Sequence, residues 1–430
     1  MQKIEIEKAK ILRGEVSIPS DKSISHRAVM ISALACGKTC IKNFLRSQDC
    51  LRTLGAFKAL GIKYSLEDSM LEMEGGGIYG LRQPADKIFV GNSGTTIRLI
   101  LGILAGQSFK LTLEGDDSLN KRPMKRIIEP LREMGAQIQA REDNFPPITV
   151  AGASLNPVLY HQKIASAQVK SSILLAGLYA KGTTKVYEKL KTRDHTERML
   201  KLFSADIQTS GLEISINSSA KLISPSEIDI PSDFSSAAFF IAAATLVPDS
   251  QIIIKNVGVN PRRLGFLNSL VTMGACVKKV NERQLSNEPR ADLVIEFRRS
   301  LKGINIDEKD IPSMIDELPI MMVVGTQAEG ETFIKGAGEL RVKETDRINS
   351  MVLGLRKMGA DIRPQEDDIL IKGPTPLKSA TLDSVGDHRT AMSLSIAALV
   401  AKGKSIIRDT ECIQTSFPEF YTTLKKVLSK

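Results

Sequence analysis

Ile18-Pro19-Ser20-Asp21 and Ile230-Pro231-Ser232-Asp233 are the same four residues in the same order, in a chain of 430 residues. The two copies lie about half the chain length apart. In each copy the residue before proline favours an extended backbone, and the Ser and Asp that follow are residues that cap helices. The repetition predicts two similar halves that form two lobes with a cleft between them, with hinge points at Pro19-Ser20 and Pro231-Ser232.

A longer pattern repeats within each half. A polar helix start leads into a helix of small apolar residues and then into a β-branched segment, and these starts are Asp21, Asn92, Ser166, Asp233, Asp316 and Asp387. Their spacing of roughly 70 residues exceeds that of a solenoid repeat and indicates a small α/β unit copied several times. Three copies fall in each half.

The repeated helices are apolar on nearly every face, as in Ala237 to Leu246 and Ala391 to Val400. Such helices are predicted to be buried. A second, amphipathic helix follows in each copy, as in Lys125 to Met134 and Ile348 to Met358, and belongs nearer the surface. The pattern therefore predicts helices inside and sheets outside; a sheet covered by outer helices is the alternative.

Short connecting features complete the repeat. The predicted strands include Ser108 to Leu113 and Ser405 to Ile407. Four of the second helices are predicted to end at an apolar residue followed by glycine, at Leu60-Gly61, Met134-Gly135, Met273-Gly274 and Met358-Gly359. Glycine is the usual residue just beyond a helix end.

Composition is that of a globular protein, with 42% apolar residues. No signal peptide is visible, since residues 1–16 alternate isoleucine with charged residues, and the longest apolar run, Phe239 to Val247, is too short to span a bilayer. A cytoplasmic location is the expectation. The five cysteines form no CxxC pair, which argues against a disulfide framework or a zinc site.

The formal charge of +10 favours an anionic partner, either nucleic acid or a small phosphate compound. Against nucleic acid, the chain has no tryptophan, only 5% aromatic residues, and basic residues that are scattered along the sequence. Buried parallel helices would direct several N-termini toward one end of each lobe, where free N–H groups bind anions. An anion-binding cleft is therefore predicted.

Several strings carry a family resemblance. They are S-D-K-S-I-S-H-R from Ser20, G-N-S-G-T-T-I-R from Gly91, R-P-M from Arg122, R-D-H-T-E from Arg193 and E-L-R-V-K-E-T-D-R-I from Glu339. They resemble the EPSP synthase family of enolpyruvyl transferases, and the resemblance spans essentially the whole chain.

The family fold implied is α/β, with two lobes of three βαβαββ units each, buried parallel helices and sheets on the outside, an inside-out α/β barrel. Residues 21–231 would form the N-terminal lobe on the shikimate 3-phosphate side. Residues 1–20 and 232–430 would form the C-terminal lobe, with the catalytic carboxylates and part of the phosphoenolpyruvate site.

The activity implied is transfer of the enolpyruvyl group of phosphoenolpyruvate to the 5-hydroxyl of shikimate 3-phosphate, with release of phosphate through a tetrahedral ketal. This chemistry needs cations for two polyanions, an acid for the enol carbon and a base for the attacking hydroxyl. The resemblance implies no metal and no cofactor, small-molecule partners without nucleic acid or membrane, and a monomer.

By resemblance, three sets of residues carry the reaction. The residues that resemble the shikimate 3-phosphate site are Lys22, Ser23, Arg27, Ser166, Ala167, Gln168, Thr192, Asp316 and Lys343. Those that resemble the phosphoenolpyruvate site are Lys22, Asn92, Gly94, Arg122, Gln168, Arg347, His388 and Arg389. The catalytic set implied is Lys22, with Asp316 as the base on the 5-hydroxyl and Glu344 as the proton donor to the enol carbon.

Read locally, several of these residues have a plain structural interpretation. Asp316 could be the N-cap of a helix that starts at Leu318, and Glu344 could form an exposed i, i+3 ion pair with Arg347 on a helix. His26, His195 and His388 would be hydrogen-bond partners of neighbouring groups, whereas His161, which has no motif around it, would lie on the surface.

Three departures within the family matter. Thr192 stands where some branches have serine, and Thr415 stands where some have lysine, which puts one cation of the phosphoenolpyruvate site in doubt. Gly94 lacks the methyl group that in some members crowds that site against glyphosate, so inhibition competitive with phosphoenolpyruvate is expected.

Two rival functions remain open. A transferase acting on UDP-N-acetylglucosamine shares fold and donor but uses a cysteine in the loop before the Arg-Pro pair, and residues 116–122 contain none. The second rival is an RNA-end-processing or RNA-binding α/β repeat protein, which would use the positive charge to bind RNA. Absence of RNA binding at physiological salt would exclude this alternative.

Overall fold

The structure is a computed structural model, and it describes residues 2–218 and 221–428. Helices and groups of one to four strands follow each other along this range. The α-helices are α1 (Lys22–Leu34), α2 (Gln48–Ala59), α3 (Gly94–Leu104), α4 (Lys125–Glu133), α5 (Ala167–Gly177), α6 (His195–Leu202), α7 (Phe234–Leu246), α8 (Gly265–Thr272), α9 (Leu318–Gly325), α10 (Arg347–Lys357), α11 (His388–Val400) and α12 (Phe420–Val427). Short 3-10 turns lie at Leu119–Lys121, Pro261–Arg263, Ile311–Ser313, Gly338–Val342 and Thr410–Thr415.

The strands are short, and most follow or precede a helix. They are β1 (Lys3–Glu7), β2 (Arg13–Val16), β3 (Ala35–Lys42), β4 (Lys63–Glu67), β5 (Met70–Gly76), β6 (Ile88–Phe89), β7 (Lys110–Glu114), β8 (Gln137–Arg141), β9 (Phe145–Ala151), β10 (Leu159–His161), β11 (Thr183–Tyr187), β12 (Ile207–Ser210), β13 (Glu213–Asn217), β14 (Leu222–Ile223), β15 (Glu227–Asp229), β16 (Gln251–Gly258), β17 (Cys276–Leu285), β18 (Glu288–Glu296), β19 (Asn305–Ile306), β20 (Gly330–Ile334), β21 (Asp361–Gln365), β22 (Asp368–Gly373), β23 (Thr381–Asp383) and β24 (Lys404–Arg408).

The chain divides into two compact units. The N-terminal unit is Ser20–Ile230 together with Leu285–Glu288, and the C-terminal unit is the chain up to Pro19, Pro231–Gln284 and the chain from Pro289 onward. The chain passes from one unit to the other within each Ile-Pro-Ser-Asp segment. A further short segment, Leu285–Glu288, belongs with the N-terminal unit, which the sequence did not indicate.

The repeat has the β-α-β-α-β-β order that the family resemblance implies. In the clearest copy, β6 and β7 are parallel and joined through α3, α4 follows, and β8 and β9 complete the sheet in the order β6-β7-β9-β8 with antiparallel pairing. The same order recurs as β10-β11-β13-β12 and as β19-β20-β22-β21. The parallel pair needs a crossover, which the buried helix provides.

The other three copies take strands from distant parts of the chain. β2 lies parallel to β16, and β15 lies parallel to β3, so each of these repeats receives its first strand from a segment about half a chain away. In the last copy β1 pairs antiparallel with β24. Among the described residues each unit thus holds three sheets, and β1 and β2 belong to sheets of the C-terminal unit.

Each unit has its own hydrophobic core around three buried helices. These are α1, α3 and α5 in the N-terminal unit, and α7, α9 and α11 in the C-terminal unit, with nearly all of their side chains shielded from solvent. A Cβ on Gly102 of α3 would lie 2.1 Å from the Ser172 carbonyl oxygen of α5, so glycine is what lets these two helices pack closely. The prediction that the repeated helices are buried is confirmed.

Most helix starts agree with the sequence. Asp21, Ser166, Asp233 and Asp387 are N-cap residues whose side chains accept backbone N–H groups. Two starts were wrong by one residue, because Ser93 rather than Asn92 caps α3 and Glu317 rather than Asp316 precedes α9. The four second helices end as predicted at Leu60, Met134, Met273 and Met358, each followed by a glycine with φ between 90° and 100°.

Candidate active site

The start of α1 carries three of the predicted residues. The Asp21 carboxylate accepts the Ile24 N–H at 2.8 Å and fixes the first turn. The Lys22 ammonium lies 2.5 Å from the Asp49 carboxylate of α2, and both side chains are mostly buried. Ser23 follows, and its carbonyl oxygen accepts a hydrogen bond from Arg27 at 3.0 Å. A capped helix start with a lysine and a serine is a suitable anion site.

Arg27 is buried and its guanidinium is held on three sides. Besides the Ser23 contact, Nε donates to the Thr196 hydroxyl at 2.7 Å and Nη2 donates to the Ser171 hydroxyl at 3.0 Å. Burial lowers the pKa of Arg27 to about 10, against the opposing effect of Glu197 and Asp21. The guanidinium thus joins α1 to α5 and α6.

The start of α3 lies beside a second guanidinium. Arg122 donates to the side-chain oxygen of Asn92, and the Asn92 amide donates to the two Asp116 carboxylate oxygens at 2.9 and 3.1 Å. Gly94 is the first residue of α3, and a Cβ placed on it would lie 3.3 Å from Arg122 Nη1. Asn92 therefore orients Arg122, while the missing side chain of Gly94 leaves the helix start open.

Gln168 links α5 to α3. Its side-chain oxygen accepts from Arg98 Nη1 at 2.7 Å and its amide donates to the Thr95 hydroxyl at 3.1 Å. Ser166, the N-cap of α5, accepts the Val169 N–H at 3.4 Å, and Ala167 is the first helical residue. Ser166, Ala167 and Gln168 thus form the partly exposed beginning of the third buried helix.

Thr192 lies in the loop between β11 and α6. Its N–H donates to Glu188 Oε1 at 3.0 Å, and its hydroxyl donates to the same oxygen. Thr192 is almost fully buried. Arg27 thus links α1, which carries Lys22 and Ser23, to α5, which carries Gln168 and is capped by Ser166. Thr192 is linked to α5 through Glu188, which contacts Lys170.

In the C-terminal unit, Arg347 is the central cation. Its guanidinium is buried and contacts three carboxylates, through Nε to Asp387 at 2.7 Å, Nη2 to Glu344 at 2.5 Å and Nη1 to Asp316 at 3.4 Å. Burial alone would lower the pKa of Arg347, but the three carboxylates outweigh it and raise the pKa above its ordinary value. Arg347 therefore stays charged and fixes the two carboxylates predicted to be catalytic.

Asp316 does not cap α9. The residue before the helix is Glu317, and Glu317 makes no capping hydrogen bond. The Asp316 side chain instead lies near two guanidinium groups, Arg347 and Arg389, with Arg389 Nε 3.7 Å away, and Arg389 Nη1 donates to the Asp316 carbonyl oxygen at 3.1 Å. The interpretation of Asp316 as a simple helix cap is wrong.

Glu344 does form the i, i+3 pair with Arg347, but not as an exposed pair along a helix. α10 begins only at Arg347, so Glu344 lies in the segment before it, and its partner is buried. Lys343 lies just before Glu344, directly after the 3-10 turn Gly338–Val342, and is partly exposed. Both residues therefore sit on the approach to a buried cation.

His388 and Arg389 form the first turn of α11. The Asp387 carboxylate caps this turn by accepting the Arg389 N–H at 2.8 Å. His388 Nδ1 lies 3.3 Å from the Thr415 hydroxyl, which also donates to the Cys412 carbonyl oxygen at 2.8 Å. Thr415 thus contacts one of the predicted phosphoenolpyruvate residues directly.

The remaining histidines match their interpretations. His26 Nδ1 is 2.6 Å from the Thr53 hydroxyl, and His195 Nδ1 is 2.7 Å from the Glu288 carboxylate, both inside the N-terminal unit. Burial lowers the pKa of His26 well below its ordinary value. His161 is exposed and stacks on Tyr187.

Sequence reasoning missed two arginines. Arg98 is buried and holds Gln168, and Arg193 lies close enough to Arg27 for its positive charge to lower the pKa of that residue. Both are within strings already singled out, G-N-S-G-T-T-I-R and R-D-H-T-E. Arginine side chains in a conspicuous string could therefore have been included as candidates.

Two further findings concern the described residues, 2–218 and 221–428. No helix in this part of the chain is both long and apolar enough to cross a membrane. Within the same residues, no cluster of three or more His, Cys, Asp or Glu side chains could hold a metal ion. The two sets of residues described above offer cations and helix N-termini to anions, and carboxylates for proton transfer.

The fold is that of the enolpyruvyl transferases. The enolpyruvyl transferase NikO from Streptomyces tendae superimposes with a TM-score of 0.80 over 98% of this chain and 96% of its own, at 17% identity, a likeness that shows the fold alone. EPSP synthase from Acinetobacter baumannii superimposes with a TM-score of 0.89 at 43% identity, over 100% of this chain and 99% of its own. The predicted α/β fold is confirmed.

The family is equally clear from sequence comparison. The family model for EPSP synthase (3-phosphoshikimate 1-carboxyvinyltransferase) matches residues 6–424. A 3-phosphoshikimate 1-carboxyvinyltransferase of Syntrophomonas wolfei is 50% identical over 422 residues, 98% of each chain, and one of Thermodesulfovibrio yellowstonii is 50% identical over 429 residues, again 98% of each. The chain belongs to the EPSP synthase family. It is a transferase of the shikimate pathway.

Proposed function

We propose that the two residue sets described above carry out the family reaction in this chain. The enolpyruvyl group of phosphoenolpyruvate is transferred to the 5-hydroxyl of shikimate 3-phosphate, giving 5-enolpyruvylshikimate 3-phosphate and phosphate. The observation that carries the assignment of residues is the buried Arg347 guanidinium, which holds both Asp316 and Glu344 beside Arg389. Cations that orient carboxylates beside an anion site are what this chemistry requires.

Shikimate 3-phosphate is bound mainly by the N-terminal unit. Lys22 and Ser23 at the start of α1 and Ser166 and Ala167 at the start of α5 offer an ammonium group, two hydroxyl groups and helix N-termini to its phosphate and carboxylate. The other residues assigned to this substrate are Arg27, Gln168, Thr192, Asp316 and Lys343. Support comes from the hydrogen bonds that orient Arg27 and Thr192.

Phosphoenolpyruvate is bound by guanidinium groups. Arg122, Arg347 and Arg389 present forked donors, which match carboxylate and phosphate better than an ammonium group does. The other residues assigned to this substrate are Lys22, Asn92, Gly94, Gln168 and His388. Asn92 supports this assignment because it orients Arg122.

The chemistry proceeds by addition and elimination. Asp316 takes the proton of the 5-hydroxyl as the oxygen attacks C2 of phosphoenolpyruvate, and Glu344 gives a proton to C3, so that the methylene becomes a methyl group. The resulting tetrahedral ketal loses phosphate, which leaves with the proton that Asp316 took up, and a methyl proton returns to Glu344. Lys22, paired with Asp49, stabilises charge on the reacting groups.

The remaining assignments are proposals of the same kind. The lobes are assigned as residues 21–231 for shikimate 3-phosphate, and residues 1–20 with 232–430 for the catalytic carboxylates. The chain acts as a monomer in the cytoplasm, on small molecules, without a nucleic-acid or membrane partner. Light scattering on purified protein tests the monomer, and microscopy of a tagged chain tests the location.

The activity is tested by phosphate release from phosphoenolpyruvate with purified protein. Parallel reactions contain shikimate 3-phosphate or UDP-N-acetylglucosamine as acceptor. Release that depends on shikimate 3-phosphate is expected. Release only with the sugar nucleotide would mean that the acceptor site is misassigned, and no release with either would refute the proposed activity.

A further inference from the structure

Lys170 is a buried lysine in the N-terminal unit that the proposed reaction does not use. It lies on α5, one turn after Ser166, and its side chain is 1% exposed. Its ammonium group lies 2.8 Å from Glu188 Oε1 and 2.6 Å from Glu197 Oε1. Both carboxylates are themselves almost fully buried. We call these three residues the Lys170 triad.

Stability alone does not account for this triad. Moving three charges out of water is unfavourable, and apolar side chains of similar volume often stabilise a core as well as a buried ion pair does. Burial alone would lower the pKa of Lys170, but Glu197 and Glu188 outweigh it and raise the pKa. The lysine therefore remains charged at neutral pH, and its position relative to its neighbours is what the triad fixes.

The first branch of the triad ends at Thr192. The same Glu188 oxygen that faces Lys170 accepts both the N–H and the hydroxyl of Thr192. The Thr192 loop has no regular secondary structure to hold it, since it lies between β11 and α6. Glu188 therefore transmits the position of Lys170 on α5 to a loop residue assigned to the acceptor substrate.

The second branch ends at Arg27. Glu197 lies next to Thr196 on α6, and Lys170 lies next to Ser171 on α5, so the Lys170–Glu197 pair joins these two helices. The two hydroxyls are 2.7 Å apart, and both accept hydrogen bonds from the Arg27 guanidinium. The ion pair lies directly beside the two groups that orient Arg27.

We propose that Lys170 is a positioning residue of the shikimate 3-phosphate site. Through Glu188 it holds Thr192, and through Glu197 it holds α6 against α5 so that Thr196 and Ser171 orient Arg27. Lys170 itself touches no substrate. The proposal rests on the roles of Thr192 and Arg27 in the proposed function.

The variant Glu188→Gln tests the first branch. Glutamine keeps the volume and keeps an oxygen that can accept from Thr192, but it removes the charge that faces Lys170. The KM for shikimate 3-phosphate is expected to rise about tenfold, the effect of weakening one charge-assisted hydrogen bond. The kcat and the KM for phosphoenolpyruvate are expected to stay within about twofold, because the reacting groups are elsewhere.

A double-mutant cycle with Thr192→Val shows whether Glu188 acts through Thr192. If it does, adding Glu188→Gln to Thr192→Val changes the KM for shikimate 3-phosphate by less than about twofold. Fully additive effects of the two substitutions would overturn this branch of the proposal. Lys170→Met is a poor probe, because it leaves two buried carboxylates without their cation and is expected to unfold the unit.

The matched control is Asp292→Asn in the C-terminal unit. Asp292 is also a buried carboxylate that accepts a backbone N–H, that of Asn256 at 2.8 Å, and it has no assigned role in the reaction. Its substitution is expected to lower the Tm and leave all KM values unchanged. If Glu188→Gln behaves in the same way, the Lys170–Glu188 contact is purely structural and the proposal that Lys170 positions Thr192 is wrong.

The outcomes also separate this proposal from the proposed function. If the unsubstituted protein releases no phosphate in the presence of shikimate 3-phosphate, the proposed function fails. If the unsubstituted protein is active and Glu188→Gln leaves the KM for shikimate 3-phosphate unchanged, the positioning of Thr192 by Lys170 through Glu188 fails while the proposed function stands.

Discussion

Replacing Arg347 by lysine removes the planar guanidinium group with its several N–H donors but keeps the positive charge. The guanidinium contacts Asp387 at 2.7 Å, Glu344 at 2.5 Å and Asp316 at 3.4 Å, and a lysine ammonium cannot reproduce this planar three-way arrangement. We expect the lysine to keep the contact with the fully buried Asp387 and to lose the other two. A charge-assisted hydrogen bond contributes about 1.5–3 kcal/mol, and the Asp316 contact is long, so the total loss is about 2–4 kcal/mol.

Part of this loss appears in the reaction and part in stability. If all of it were lost from transition-state stabilisation, kcat/KM would fall by roughly 30- to 1,000-fold, because each 1.4 kcal/mol is tenfold. If all of it were lost from folding, the Tm would fall by roughly 5–15 °C for a unit of this size. Phosphate-release kinetics and thermal unfolding on the same preparation divide the total between the two.

The control for this experiment is Arg356→Lys in the same helix. Arg356 Nε donates to the Ile362 carbonyl oxygen at 2.8 Å, and Arg356 has no assigned role in the reaction. Its replacement is expected to change kcat/KM by less than about twofold. Two results together would refute the idea that the Arg347 guanidinium orients Asp316 and Glu344. One is a kcat/KM for Arg347→Lys within threefold of the unsubstituted value, which corresponds to about 0.7 kcal/mol, and the other is an unchanged Tm.

Three other predictions follow from the site. Asp316→Ala is expected to lower kcat by orders of magnitude while calorimetry shows shikimate 3-phosphate binding largely intact; equal loss of both would make Asp316 a positioning residue. Glyphosate is expected to inhibit competitively with phosphoenolpyruvate, and turnover that is unchanged in the presence of glyphosate would contradict this expectation. In Gly94→Ala the added Cβ would lie 3.3 Å from Arg122 Nη1, so this variant is expected to have a higher glyphosate inhibition constant and a higher KM for phosphoenolpyruvate. Burial lowers the pKa of His26 below 6.5, so on acidification His26 takes up a proton in the unfolded chain before it does so in the folded chain. The free energy of unfolding is therefore expected to fall as the pH drops below 6.5, by up to about 1.4 kcal/mol per pH unit. Denaturant titrations of His26→Gln should show a smaller dependence of this free energy on pH.

Much of the fold could be predicted because the repeat is encoded locally. Four of the six predicted start residues are N-caps, and the four glycine-terminated helix ends lie where the sequence indicates them. Caps and C-terminal glycines act through hydrogen bonds within three or four residues, and apolar periodicity decides which helix is buried. One misplaced start occurs where neighbouring residues, Asn92 and Ser93, both have side chains that suit a cap. At the other, Glu317 precedes α9 without a capping hydrogen bond, so no side-chain cap marks that start.

Strand partners could not be predicted in the same way. β2 pairs with β16 and β15 pairs with β3 although each pair is separated by a large part of the chain. The residues of Arg13–Val16 do not indicate which strand it pairs with, since a strand edge offers the same backbone N–H and C=O groups to any partner strand. The sequence repeat indicated six units, and only the structure showed which segments complete them.

The sequence by itself determined the repeat, the buried helices and the strings whose resemblance names the candidate site residues, because each depends on residues close together in the chain. Only the tertiary structure decided what those residues contact. Arg347 gathers Glu344, Asp316 and Asp387 from three segments, and Lys170 meets Glu188 and Glu197 deep in the core. Burial and ion pairing between residues that are distant in sequence depend on which segments of the chain pack against each other, and that packing is fixed only when the whole core forms.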